Sequence, residues 1–248
     1  MLGTWINVGT VVTGTLVGRL VGGRLPEAAQ STLLSVLGCV TIMLGVENAL
    51  TRPAGYADAP VSAQAGFFLV VLVSLLLGAL LGEWWNIEGG LQNLGQWAER
   101  RLNATGGAFG KAFVTTSLLF CAGPLTILGC VADGLRGDYS LLATKAVLDG
   151  FASVAFAAAM GWGVLLSAVT VLTVQGSMTL CAGAVQSWLS PVMVDALTAA
   201  GGILLVALGI RLLELKDIRV ANMIPALAMA PLLIALWAAI SPLPFPTH

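Results

Sequence analysis

The stretch FCAGPLTILGCVADGLRGDYSLLATKAVLDG, residues 120–150, breaks one apolar segment and opens the next with charges, and we expect the rest of the chain to be built around it. Asp133 ends the first segment, and Lys145 and Asp149 begin the second with four-residue spacing. An ionisable group at a bilayer is costly unless it is paired or faces water, so these residues are functional-site candidates. The alternative is that Lys145 and Asp149 form a purely structural ion pair and that Asp133 only ends a helix.

The composition is that of an integral membrane protein. Of 248 residues, 58% are hydrophobic and 9% are charged, with a mean hydropathy of +0.95. Soluble domains carry about 25% charged residues. The net charge of -1, without a basic cluster beyond Arg100 and Arg101, excludes a nucleic-acid-binding protein. We therefore expect an all-α, polytopic transmembrane helix bundle in contact with the lipid bilayer, forming a single membrane domain over residues 1–248.

The chain lacks the residues of most catalytic and metal-binding chemistry. The four cysteines, Cys39, Cys121, Cys130 and Cys181, lie in apolar runs without CxxC spacing. The only histidine is His248, and neither an HExxH nor a GxSxG motif is present. We expect no metal site, no cofactor and no enzymatic activity.

The apolar segments predict about eight membrane spans, since each span needs about 20 residues. They run over about residues 4–21, 31–50, 65–85, 109–131, 141–160, 163–189, 191–213 and 221–240. Gly123 and Pro124 interrupt the fourth span, because proline removes a backbone donor. The fifth and sixth spans are divided at Gly161, since residues 141–189 are too many for one helix.

Residues 86–108, between the third and fourth spans, have an amphipathic pattern. Ile87 and Leu91 recur at helical spacing, opposite Glu88 and Glu99. This pattern predicts a helix on the cytoplasmic membrane surface. The alternative is a short helix packed on the protein itself.

Eight spans would place most basic residues on one side of the membrane. That side holds Arg19, Arg24, Arg100, Arg101, Lys111, Arg211, Lys216 and Arg219, and the other holds Arg52, Arg136 and Lys145. Basic residues concentrate in cytoplasmic loops, so both termini are predicted to lie outside.

Residues 16–45 resemble residues 181–209, which indicates an internal repeat. The matches are Gly18 with Gly183, Pro26 with Pro191 and, with one gap, Gly45 with Gly209. Residues 1–85 and 163–240 would then be three-helix repeats around central helices in residues 109–160. Five spans separate the equivalent first helices, so the repeats would be inverted, as in many secondary transporters.

Several motifs carry a resemblance to a known family. They are GxxxNxGxxxxG near the start, GE followed by IEGGLQNLGQW, the stretch from Ser117 to Ala157, and the later VQGSMTL. The chain resembles the bacterial membrane proteins grouped as domain of unknown function 554, the YqgA-like proteins, over nearly its whole length. The resemblance implies an integral protein of the bacterial cytoplasmic (inner) membrane and no settled activity.

The leading functional hypothesis is a secondary transporter or ion-conducting protein for a cation or small charged solute. A carboxylate can bind a cation or carry a proton, and a nearby lysine can compete with either as a tethered cation. Neutral oxygens deeper in the bilayer suit hard cations, and Asn7 is either such a ligand or an interhelical hydrogen-bond donor. The candidate binding residues are Asp133, Lys145, Asp149 and Glu47 near the outer face, and Asn7, Thr126, Gln175 and Ser177 deeper in the bilayer.

The alternative function is a non-transporting membrane scaffold or signalling partner. In either case Gly14 and Gly18 form a small-residue stripe on the first span, which permits close helix packing. We therefore predict a homo-oligomer. The alternative is that these glycines pack helices within the monomer.

Overall fold

The structure, a computed structural model, describes residues 1–22, 26–91, 93, 97, 109–121 and 124–240, and within them it is helical without strands. The helices are α1 (Leu2–Gly22), α2 (Glu27–Ala49), α3 (Val61–Trp85), α4 (Phe109–Cys121), α5 (Pro124–Arg136), α6 (Ser140–Met160), α7 (Gly163–Leu180), α8 (Ala182–Trp188), α9 (Pro191–Leu212) and α10 (Pro225–Ile240). Single 3₁₀ turns span Tyr56–Asp58 and Val220–Met223. The predicted all-α membrane bundle is confirmed.

The number of candidate spans is lower than predicted. Six described helices are long and apolar enough to cross a membrane, and α4 with α5 gives a seventh if this pair, bent by 61°, is one span. The bend lies at the predicted break, of which Pro124 begins α5 and Gly123 lies outside the described residues. The remaining predicted span is α1, whose 21 residues are less apolar because they include threonines, Asn7 and Arg19.

Local sequence signals set several helix ends. Ser190 Oγ accepts a hydrogen bond from the Met193 N–H at 3.4 Å, and Pro191 begins α9, a favourable helix start. Gly161 separates α6 from α7 with φ of 87°, a value that favours glycine, so the predicted division there is confirmed. Asn86 ends α3 in the left-handed conformation.

Helices α1 and α6 run in the same direction and pack through small residues. Gly14 contacts Gly150, Gly18 contacts Val154 and Gly22 contacts Ala158. A Cβ atom added to these three glycines would lie 2.4, 2.3 and 2.4 Å, respectively, from the carbonyl oxygen of the opposite residue. Only glycine permits such an approach. The stripe on which the homo-oligomer was predicted is therefore used inside the protein, and oligomerisation stays a prediction without that support.

Three other helix pairs complete the bundle. Helices α2 and α9 are antiparallel, since Gly38 contacts Gly209 and Gly45 contacts Gly202. Helices α3 and α10 are also antiparallel, whereas α4 and α7 are parallel. The contacts that fix these two pairs are Gly66 with Trp237, Gly78 with Ala226, Phe109 with Gly163, and Ser117 with Thr170.

The bundle has two ends, which we name after one residue in each. The Asp133 end contains Met1, Asp133, Ser140 and Thr179, and the Arg211 end contains Arg19, Lys111, Trp162 and Arg211. At the Arg211 end, the Arg19 guanidinium lies 5.5 Å from the Trp162 ring centroid, so α1 and α7 are antiparallel. Which end faces the cytoplasm stays a prediction.

The start of the predicted amphipathic helix packs on the protein itself. Residues 87–91 are helical, and Ile87 and Leu91 contact the hydrophobic core. Glu88, expected on the polar face, is buried. The alternative interpretation therefore holds for the first turn, and most of residues 92–108 lies outside the described residues.

Candidate functional site

Lys145 and Asp149 form a buried ion pair on α6. The Lys145 ammonium donates to Asp149 Oδ2, and the side chains are 7% and 10% exposed. Asp149 lies about 14 Å along α6 from Ser140, because each helical residue rises about 1.5 Å. Asp149 is the tenth of the 21 residues of α6, so the pair lies nearer the middle of this helix than the outer end expected from the sequence.

Asn7 brings α1 into contact with this pair. Its Nδ2 donates to Asp149 Oδ2 at 2.9 Å, across a sequence separation of 142 residues. The reach is short because Gly14 lets the α1 backbone approach Gly150, the residue after Asp149. Asn7 is thus an interhelical donor, but its Oδ1 has no partner among the described residues. Asp149 Oδ1 also forms no hydrogen bond with them.

Gln175 adds a second unsatisfied amide from α7. Its side chain is fully buried, and neither amide atom has a hydrogen-bond partner in the described part of the chain. One turn away, the Thr179 hydroxyl lies 3.5 Å from the Thr4 hydroxyl of α1. Asn7 follows Thr4 by about one turn in α1, and Gln175 precedes Thr179 by about one turn in α7. Because the two helices are antiparallel, Asn7 and Gln175 lie at the same depth in the bundle.

The broken span supplies the side of the site next to Lys145. The Lys145 ammonium lies 5.9 Å from the ring centroid of Phe120, which is fully buried near the end of α4. Thr126, also fully buried, bridges the break by donating to the Phe120 carbonyl at 3.3 Å. The last carbonyls of a helix carry partial negative charge, so the end of α4 favours a cation.

Asp133 holds the beginning of α1. Its Oδ1 lies 2.8 Å from the terminal ammonium of Met1, and its Oδ2 accepts the Gly3 N–H at 3.1 Å. A carboxylate at a helix N-terminus is favourable. Asp133 was expected to face the ion pair, but it forms no hydrogen bond or ion pair with Lys145 or Asp149 in the described part of the chain. The residue that contacts the pair from another helix is Asn7.

Two predicted site residues lie elsewhere. Ser177 is exposed on α7, and its hydroxyl donates to the Val174 carbonyl of its own helix at 3.0 Å. Glu47 is exposed on α2. Contacts thus join Lys145, Asp149 and Asn7. Gln175 lies at the depth of Asn7 on α7, and Thr126 contacts Phe120, the aromatic neighbour of Lys145. Ser177 and Glu47 lie outside this group.

The comparisons with known proteins agree with the resemblance described above. The family "Protein of unknown function (DUF554)" matches residues 2–235. The chain belongs to this family. Two relatives are the "Uncharacterized membrane protein YdfK" of Bacillus subtilis (strain 168) and the "Uncharacterized protein YqgA" of Escherichia coli (strain K12).

YdfK is 30% identical over 239 residues, covering 94% of this chain and 96% of the relative. YqgA is 30% identical over 246 residues, covering 96% and 98%. No solved structure matches the chain. The DUF554 protein is therefore a membrane protein whose relatives' names state no activity.

In this DUF554 protein a second group of charges lies at the Arg211 end. Buried Glu88 pairs with Arg211 at 2.7 Å, and Arg211 Nε lies 3.1 Å from Asp217. Glu88 Oε2 also accepts the Ala221 N–H at 3.1 Å, while the Glu88 N–H donates to Asn222 Oδ1 at 2.7 Å. Sequence analysis missed this group because 123 residues separate its central pair.

A last acidic residue near the site has a local role. Asp138 precedes α6, and its Oδ1 accepts hydrogen bonds from the Ser140 hydroxyl at 2.6 Å and the Ser140 N–H at 3.1 Å. These bonds stabilise the charged form and lower the pKa of Asp138 below its usual value. Asp138 therefore fixes the turn that leads into the helix carrying Lys145.

Proposed function

We propose that this DUF554 protein is a secondary transporter or ion-conducting protein for a cation or small charged solute, with Lys145, Asp149 and Asn7 as its working site. The observation that carries the proposal is the buried ion pair of α6 beside polar atoms that have no hydrogen-bond partner among the described residues. Charges in a membrane interior are costly, and a buried pair can often be replaced by apolar residues without loss of stability. A stabilising role alone is therefore a weak explanation for the pair.

The proposed mechanism is competition for the Asp149 carboxylate. In the resting protein Lys145 acts as a tethered cation, and cargo or a proton displaces it. The break between α4 and α5 lies beside Lys145. In many transporters the ends of such broken helices face the transported ions.

The contact between α2 and α9 supports an inverted repeat. The alignment that matches Gly45 with Gly209 also matches Gly38 with Gly202. In the bundle Gly38 contacts Gly209 and Gly45 contacts Gly202, so a two-fold axis would exchange one contact with the other. This is the relation expected between equivalent helices of inverted repeats.

The proposal includes a location and an orientation. The protein lies in the bacterial inner membrane, with the Asp133 end and both termini outside. The described basic residues support this, since Arg19, Lys111, Arg211, Lys216 and Arg219 lie at the Arg211 end.

Flux in proteoliposomes tests the proposal. The full chain is reconstituted and supplied in turn with radiolabelled sodium, rubidium, lysine or glutamate, with a pH-sensitive dye inside. The wild type should move at least one probe or protons. The double variant Lys145→Met and Asp149→Leu should fold but lose the flux, because the ion pair is absent without leaving an unpaired charge.

Two predicted residues outside the site serve as matched controls. Ser177→Ala and Glu47→Gln should keep wild-type flux. A folded double variant with wild-type flux would make the pair structural. A wild type that moves none of the probes would favour the scaffold alternative.

A further inference from the structure

We infer that the cargo of this site is a monovalent inorganic cation such as sodium, bound between α1, α6 and α7 by oxygens of Asn7, Asp149 and Gln175. This inference rests on the proposed function and specifies its substrate class. It depends on which buried atoms are unsatisfied, a separate observation from the ion pair itself.

The free atom of Asn7 is an acceptor. Its Nδ2 donates to Asp149 Oδ2, and exchanging the two amide atoms would place an oxygen against a carboxylate oxygen. The atom without a partner is therefore the oxygen, Oδ1. A buried acceptor without a donor is costly, so a ligand or an ordered water is expected beside it.

Further oxygens lie around the same depth. Gln175 offers an amide oxygen that lacks a partner in the described residues, and Asp149 Oδ1 forms no hydrogen bond with them. The Thr4 and Thr179 hydroxyls lie one turn nearer the Asp133 end, and their oxygens have lone pairs left over. Carboxylate, amide and hydroxyl oxygens are the ligands that hard cations prefer.

The charge of the site selects a monovalent ion. Asp149 is the one carboxylate hydrogen-bonded to Asn7, and it already has the Lys145 ammonium as partner. A divalent ion would leave two surplus positive charges in the membrane interior, whereas a monovalent ion leaves one. When Lys145 withdraws as the ion binds, the site is neutral again.

Competition between Lys145 and the cation gives a prediction that a structural pair would not. Removing Lys145 leaves Asn7 Nδ2 as the one donor to Asp149 Oδ2 among the described residues, so the cation should bind more tightly. Removing the Gln175 amide leaves the ion pair intact and takes away one ligand, so the cation should bind more weakly.

The experiment is equilibrium binding of radiolabelled sodium to the purified full chain in nanodiscs, with choline chloride holding the ionic strength constant. The wild type should bind sodium saturably. Gln175→Met should weaken sodium binding by about tenfold or more, because one ligand is lost. Lys145→Met should tighten sodium binding by a similar factor, because the competing cation is lost. A tenfold change in Kd corresponds to about 1.4 kcal/mol of binding free energy. Ser177→Ala, on the same helix but exposed, should bind as the wild type does.

Three outcomes would overturn the inference. If sodium does not bind saturably, or binds equally to wild type and Gln175→Met, the buried amides hold only water. If methylammonium binds and sodium does not, the site takes an organic cation. Should Lys145→Met fail to fold, Gln175→Met still decides, because it keeps the ion pair.

The two proposals can fail separately. Flux of another probe that depends on Lys145 and Asp149, without sodium binding, would refute the cation while keeping the transporter. Saturable sodium binding that Gln175→Met weakens, without flux of any probe, would support the cation site and refute transport.

Discussion

The substitution Gly14→Ala tests whether the close packing of α1 on α6 positions the site. A Cβ atom at Gly14 would lie 2.4 Å from the Gly150 carbonyl oxygen and 3.0 Å from Ser153 Cβ. Non-bonded carbon contacts are best at about 3.5–4.0 Å, so α1 and α6 need to separate by about 1 Å at this level. Overpacking of this kind costs about 1–3 kcal/mol of unfolding free energy.

Gly9→Ala is the matched control on the same helix. No atom lies within 4 Å of its Cβ position, so the new methyl group meets open space. Alanine is favoured over glycine in a helix by about 1 kcal/mol, which makes this variant neutral or more stable. Both substitutions gain the same helix propensity, so the two variants should differ by the overpacking cost alone, about 1–3 kcal/mol.

The measurement is reversible unfolding in mixed micelles, together with the flux assay. The Asn7 to Asp149 hydrogen bond is 2.9 Å long, and a shift of about 1 Å exceeds the range of a hydrogen bond. Gly14→Ala should therefore also impair flux in protein that is still folded. A Gly14→Ala protein as stable as Gly9→Ala would refute the packing of α1 on α6.

Three further predictions concern the rest of the protein. Glu88→Gln should lower the unfolding free energy by about 3–5 kcal/mol, because it breaks the buried ion pair with Arg211. Glu214→Gln, which breaks the exposed pair with Lys111, should lower it by less than about 1 kcal/mol, and similar losses in the two variants would contradict the burial of Glu88. Cysteines introduced near Gln96 and Pro60 should label from opposite sides of the membrane, and labelling from one side would overturn the proposed topology. Because the pKa of Asp138 is lowered in the folded state, its stabilisation is present above the unfolded pKa and is lost as pH falls through the folded one. Below about pH 4 the thermal midpoint should fall more in the wild type than in Asp138→Asn, and equal slopes would argue against the cap.

Sequence patterns were sufficient to predict the class of fold and the local features of the site. Apolar segments of membrane-spanning length predicted the helices, and the Gly-Pro pair predicted the break that begins α5 at Pro124. Four-residue spacing placed Lys145 and Asp149 on one face of α6, where they pair. These features follow from neighbours in the chain, so sequence spacing is sufficient to predict them.

The helices that complete the site are known only from contacts between residues far apart in the chain. Asn7 reaches Asp149 and Glu88 reaches Arg211 across more than 100 residues, and Asp133 caps α1 where it was expected to face Lys145. A membrane helix is apolar on its lipid-facing and its buried sides alike, so its hydrophobic pattern does not show which face meets a neighbour. The glycines of α1 predicted close packing, but only the folded bundle shows that their partner is α6.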